Sequence, residues 1–153
     1  MIITPNRLSM LIDTNIIIYA INSASPKHLL AKQFFLEQQE DLVVADQNIL
    51  EAMRVLTHGK FAHPMSFFQA DNAVNAIAVA ATVISPTEET LPIAIMLMRK
   101  YERAANRIFD AYLAATMLTH DIKQIATDNE RDFMMYEEIA VLNPFKPGRG
   151  QGD

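Results

Sequence analysis

The chain predicts an α/β protein in three layers, a central parallel sheet of about five strands with helices on both faces. Three observations predict it. Short apolar runs alternate with amphipathic stretches of helical length, the pattern of strand–helix–strand units. The runs read as buried strands, Leu42-Val43-Val44-Ala45 most clearly, which suits a sheet covered on both faces. The 153 residues show no internal repeat and no dividing linker, so one domain is expected over 1–146. The tail, 147–153, lacks apolar residues and is expected to be disordered.

The first strand is placed at about Leu8 to Ile12. Asn15 to Ile21 follows as helix or turn, although its apolar run also reads as further strand. Asn22-Ser23-Ala24-Ser25-Pro26 is a breaker. A helix from about His28 to Gln39 is expected to turn Leu29, Ala31, Phe34 and Phe35 inward. After the strand Leu42–Ala45, Asp46 or Asn48 is expected to cap a helix burying Ile49, Ala52, Met53 and Leu56. His58 to Pro64 is a loop. Ser66 then caps a helix whose stripe is Phe67, Ala70, Val74, Ile77 and Ala78.

Thr82-Val83-Ile84 is the third strand. A helix starts within Ser85-Pro86-Thr87-Glu88-Glu89, acids in its first turn, and runs to about Glu102. Asp110 opens an alanine-dense helix to Thr119. Gln124 to Thr127 and Ala140 to Leu142 are the last strands, and Asp132 is a candidate cap for a short helix over Phe133 to Tyr136.

In such sheets ligands bind beyond the carboxyl ends of the strands, where strand order switches. Asp13 follows strand one and Asp128 follows strand four, so both fall at that edge. Glu51 lies in the second turn of the helix after strand two. Asp110 begins its helix and Asp132 stands just behind Asp128. Each acid alone also reads as a cap, a turn residue or, for Glu51, a partner of Arg54. Together, acids gathered in one pocket repel, and a divalent cation is the usual compensation. Oxygen ligands with room for water are what a Mg²⁺-dependent phosphodiester-cleaving site needs.

The bulk numbers narrow the classes. With no cysteine there is no disulfide, zinc–thiolate site or thiol nucleophile, which fits a reducing cytoplasm. The start is not a signal peptide, Met10 directly precedes the first acidic motif, and no apolar stretch approaches the roughly 20 residues of a membrane helix. Net charge is −5, against tight nonspecific coating of nucleic acid but compatible with a nuclease whose acids bind a cation. Arg99, Lys100, Arg103 and Arg107 form the densest basic run, read as a solvated helix face or as an RNA-backbone contact, with Arg54 and Lys60 second. His28, His58, His63 and His120 lie outside the acidic motifs.

Four pieces in order carry a family resemblance: Leu11-Ile12-Asp13-Thr14-Asn15, the Glu51 helix, Asp110-Ala111-Tyr112-Leu113-Ala114-Ala115, and Ile125-Ala126-Thr127-Asp128-Asn129-Glu130-Arg131-Asp132-Phe133. The chain resembles the PIN-domain ribonucleases, more closely the VapC-type toxins of toxin–antitoxin pairs, over about residues 9 to 145. The resemblance implies a PIN fold, Mg²⁺ or Mn²⁺, and hydrolysis of RNA. It implies Asp13, Glu51 and Asp110 as metal-site acids. Asp128 is the preferred fourth, with Asp132 or Asn129 as alternatives. Thr14, Asn15, Thr127 and Asn129 are candidate supporting residues, and from the basic run Arg99, Arg103 and Arg107 are candidate RNA contacts. A homodimer and a cognate antitoxin are the implied partners.

Other classes fit less well. A haloacid-dehalogenase-like phosphatase needs a second Asp two residues after the first, where this chain has Asn15. A receiver-type signalling domain wants a Lys after the last strand, where Asn143-Pro144-Phe145 stands. A PIN scaffold that binds without cutting would not need all four acids.

Overall fold

A computed structural model of the chain describes residues 9–146. Five parallel strands form its sheet in the order β3-β2-β1-β4-β5: β1 Met10–Ile12, β2 Leu42–Ala45, β3 Thr82–Ile84, β4 Gln124–Ala126 and β5 Ala140–Leu142. The helices are α1 Thr14–Ile21, α2 His28–Glu37, α3 Asp46–Thr57, α4 Phe67–Val79, α5 Thr90–Lys100 and α6 Arg107–Thr119. Leu8 and the 147–153 tail fall outside the described residues.

Alternation along the strands divides the core between two faces. Leu11, Val43, Ala45 and Ile125 point toward α5 and α6, where they meet Leu97, Ala111, Leu113, Ala114, Ala115 and Met117. Met10, Ile12, Leu42, Val44 and Ala126 point the other way, toward Ile16, Ile17, Ala31, Phe34, Ala52, Leu56, Ala70 and Val74. The strand order reverses between β1 and β4, whose partners are Leu11 with Ile125 and Ile12 with Ala126. The crevice at this switch is where the acidic residues emerge.

Several boundaries differ from expectation, each for a local reason. The ambiguous run after Asp13 is helix, because Asp13 caps it by accepting from the Thr14 N–H. Leu29 is 77% exposed, since α2 buries Ala31 and Phe34, and two residues back from Ala31 is the opposite side of a helix. Phe67 shares the stripe of Ala70 but opens α4 and stands exposed at its end. Neither Asp46 nor Asn48 is the cap of α3. Ala45 holds that position, and Asn48, in the first turn, accepts from the Ala45 N–H at 3.0 Å. Helix α5 starts later and stops at Lys100, and Glu102 then takes a left-handed φ of 53° that ends it. Helix α6 begins at Arg107, one turn before Asp110. Thr127 lies just past β4, and a single 3₁₀ turn, Glu130–Asp132, ends at Asp132 instead of starting there.

Ser66 caps α4 reciprocally: its hydroxyl accepts from the Gln69 N–H, and the Gln69 side chain accepts from the Ser66 N–H. Ser66→Ala should lower stability by about 1 kcal/mol in urea unfolding. Unchanged stability would mean that this cap contributes nothing.

Candidate functional site

Asp13 leaves β1 at the strand switch and is 8% exposed. Its Oδ1 accepts from the Thr14 N–H at 2.8 Å, and its Oδ2 accepts from the Thr127 hydroxyl at 2.7 Å. The Thr127 hydroxyl oxygen accepts from Asn15 Nδ2 at 3.2 Å and from the Asn129 N–H at 3.0 Å. A hydroxyl has one proton, so with both acceptor positions used that proton is directed at Asp13. Asn15 also reaches Asp13 Oδ2 at 3.4 Å, and its Oδ1 accepts from the Asp128 N–H at 3.2 Å.

A second relay serves Glu51. Asn48 is wholly buried, and its Nδ2 donates to the Thr14 hydroxyl at 3.1 Å. Thr14 in turn donates to Glu51 Oε2 at 3.1 Å. The Ala45 N–H can only donate, so it fixes which end of the Asn48 amide is the carbonyl. Gln47 holds Glu51 from the other side, with Nε2 3.4 Å from Oε1 and 3.2 Å from the Phe109 carbonyl.

Asp110 projects from the first turn of α6 toward the same crevice. Burial is the main cause that pushes its carboxyl up to about 7, followed by the charges of Asp132 and Asp13, with Glu51 adding to them and Arg107 opposing. Burial likewise pushes Asp13 up to about 6, against the hydrogen bonds from Thr127 and Thr14, with Glu51 and Asp132 adding repulsion. Asp13, Glu51, Asp110 and Asp132 therefore form one electrostatically coupled set.

Asp128 is not in that set. Its Oδ2 accepts from Tyr19 Oη at 2.8 Å and from Lys27 Nζ, and its Oδ1 accepts from Asn143 Nδ2 at 3.3 Å. Burial alone would raise its pKa, but the Lys27, Tyr19 and Asn143 donors outweigh it and hold the carboxyl below the ordinary range. Burial and the Asp128 acceptor push the Tyr19 hydroxyl up to about 12.

The basic run is split. Arg107 is ion-paired with Asp132. Arg103 turns inward: its Nε and Nη2 and the Tyr136 hydroxyl are buried without partners in hydrogen-bond geometry, while the Arg103 charge still acts on Tyr136. Arg99 is exposed near the end of α5. Arg107, Asp128, Asn129, Arg131, Asp132 and Lys146 line a cleft of about 450 Å³ beside the acids.

Among the described residues, no three acid or histidine side chains converge as a direct metal cage. The donor set is nonetheless all carboxylate oxygen. It suits a hard cation that keeps several waters and takes few protein ligands.

Sequence reasoning missed Asn48 as a site residue, as well as Gln47, Tyr19, Lys27 and Asn143. Asn48 carried a signal, an amide four residues before the buried Ala52 on the core-facing stripe of α3. The partners of Asp128 carried none, since Lys27 lies 101 residues away in the chain.

A family model for the PIN domain matches residues 10–138, and the chain belongs to that family. Comparison with curated protein sequences gives no match. Among solved structures, a toxin–antitoxin complex from Klebsiella pneumoniae is similar at 21% identity and a TM-score of 0.66, over 91% of this chain and all of that one. VapC20 of Mycobacterium tuberculosis, described as a sarcin–ricin loop cleaving toxin, is similar at 20% identity and a TM-score of 0.64, covering 86% of this chain and 98% of that one. DNA-bound VapBC from Salmonella typhimurium gives 17% identity and a TM-score of 0.66, covering 89% and 98%. At these identities the likeness is one of fold.

Asp110 in the metal-free protein yields a pH-dependent prediction. A carboxyl with a raised folded-state pKa binds its proton more tightly when folded, so stability falls as pH rises from 3.8 to about 7, and the full penalty remains above that. Asp110→Asn should raise the metal-free melting temperature at pH 8 by about 2–4 °C, the shift of one kcal/mol in a chain of this size. The gain should shrink as pH falls from 7 toward 4. Calorimetry showing a loss at pH 8, or the same gain at every pH, would contradict the assigned burial and repulsion.

Proposed function

We propose that the chain is a divalent-cation-dependent endoribonuclease, the toxin of a toxin–antitoxin pair. The observation that carries this reading is the coupled set Asp13, Glu51, Asp110 and Asp132 at the β1–β4 switch, with two threonine hydroxyls donating into it. Membership of the PIN family supports a nuclease. The similar fold of VapC20, a toxin described as cleaving the sarcin–ricin loop, supports RNA as the substrate. Similar folds in toxin–antitoxin complexes support a protein antitoxin that covers the groove.

In this reading Asp132 replaces Asp128 as the fourth site acid, because Asp128 is already satisfied by Lys27, Tyr19 and Asn143. A bound Mg²⁺ or Mn²⁺ would supply charge neutralisation at the phosphate and a more acidic water. Asp13 and Glu51 would hold the ion directly or through water, in orientations set by Thr127 and Thr14 before substrate arrives. Asp110 and Asp132 complete the negative field. Arg107, whose charge reaches Asp110, is assigned to an RNA phosphate, with exposed Arg99 as a second contact. Arg103 faces inward and is assigned to the support of the loop before α6. Exposed Phe67 and Phe68 on α4 and Leu91 and Met96 on α5 offer apolar surface for a second copy and for the antitoxin.

RNA incubated with the purified chain should be cleaved with Mg²⁺ or Mn²⁺ and spared with EDTA, and Asp13→Asn should be inactive. Cleavage that persists in EDTA or in the variant would sink the proposal. Thr127→Val should keep the fold and lower kcat by roughly 10–100-fold. A fully active Thr127→Val would show that Asp13 needs no oriented donor.

A further inference from the structure

We infer that Lys27 and Asp128 form a positioning clamp that sets the Thr127–Asp132 loop against Asp13, and that Asp128 is not itself a cation ligand. The inference rests on the nuclease reading above and goes past it to residues with no assigned role.

The clamp joins four separate pieces of chain. Tyr19 comes from α1, Lys27 from the turn before α2, Asp128 from the loop after β4, and Asn143 and Phe145 from the segment after β5. Lys27 Nζ also sits 5.4 Å from the Tyr19 ring centroid and 5.3 Å from that of Phe145. Those two rings pack edge to face at 5.4 Å. A lysine held by a carboxylate and two aromatic faces is confined, unlike an ordinary surface lysine.

Both Asp128 oxygens are engaged, and the side chain is only 15% exposed. To bind a cation it would have to release Lys27 or keep a like charge beside the ion. Both are unfavourable. The main chain of Asp128 meanwhile serves the acids, because its N–H donates to Asn15, which contacts Asp13 and Thr127. One residue thus fastens the loop with its side chain and feeds the site network with its backbone. The residue before it, Thr127, gives Asp13 its short hydrogen bond, and the 3₁₀ turn after it delivers Asp132. Slack at Asp128 would reach both.

The test compares Lys27→Met, Lys27→Arg, Asp128→Asn and Asp13→Asn with wild type, each confirmed folded by circular dichroism. Mn²⁺ binding is read by titration calorimetry, loop protection by hydrogen exchange over 127–133, and turnover on a single-stranded RNA. Asp128→Asn should bind Mn²⁺ within about 3-fold of wild type, whereas Asp13→Asn should lose at least about 10-fold. Lys27→Met and Asp128→Asn should both speed amide exchange over 127–133 and lower kcat about 10-fold with KM nearly unchanged. Lys27→Arg, which keeps the charge, should restore most of that loss.

Mn²⁺ affinity lost in Asp128→Asn as fully as in Asp13→Asn would make Asp128 a ligand and overturn the inference. Unchanged exchange and unchanged kcat in Lys27→Met would overturn it as well. If the wild-type chain neither binds Mn²⁺ nor cleaves RNA, the nuclease reading fails, and hydrogen exchange alone still decides whether the clamp holds the loop.

Discussion

Burial of like-charged carboxylates in one crevice is the constraint that the site and its surroundings answer. Asp13 and Asp110 sit where burial and neighbouring acids disfavour their charged forms. A fold keeps such an arrangement only if local donors make it tolerable. Here Thr127 and Thr14 each direct a proton at an acid, because the other positions of their hydroxyls are committed to donors from Asn15, Asn129 and Asn48. The strand switch brings Asp13 and Thr127 together, α3 brings Glu51 with its own support Asn48, and α6 brings Asp110. The sheet order is therefore a requirement of the site and not only its scaffold.

The same loop holds two acids with opposite fates. Asp128 lies against a lysine, a phenol and an amide, and its carboxylate is stabilised. Asp132, four residues on, adds its charge to Asp13 and Asp110 and has Arg107 as its counter-ion. Asp128 has three donors and stands apart from the other acids, whereas Asp132 has one counter-ion and faces two of them. Under the proposed reading this difference marks Asp128 as a structural carboxylate and Asp132 as a site acid.

Much of the fold was legible in the sequence. The strands Leu42–Ala45, Thr82–Ile84 and Ala140–Leu142 stand where their apolar runs predict, since short apolar runs bounded by turns leave a clear pattern, although only Leu42–Ala45 is buried throughout and the two edge strands are largely exposed. Helix starts were less legible. Asp110 reads as a cap, yet three preceding residues, Arg107, Ile108 and Phe109, are already helical. Leu29 is exposed because it lies across α2 from Ala31, and Phe67 because apolar spacing gives a period but not where the covering body ends. In the site, the residues adjoining the acids could be found by proximity along the chain, as with Thr14 and Asn15. The proposed preference for Asp132 over Asp128 could not, because it rests on Lys27, Tyr19 and Asn143, which converge on Asp128 only in three dimensions.

The central claim is that a cation offsets the burial and repulsion that otherwise keep protons on these acids, and proton release measures it most directly. Carboxyls at about 6 and about 7 together hold about one proton at pH 6.5, and a cation bound in their field would displace it. Calorimetric Mg²⁺ titration at pH 6.5 in two buffers of different ionisation enthalpy should show about one proton released per ion, falling toward zero at pH 8.5. Mg²⁺ binding with no proton release at pH 6.5 would contradict the account.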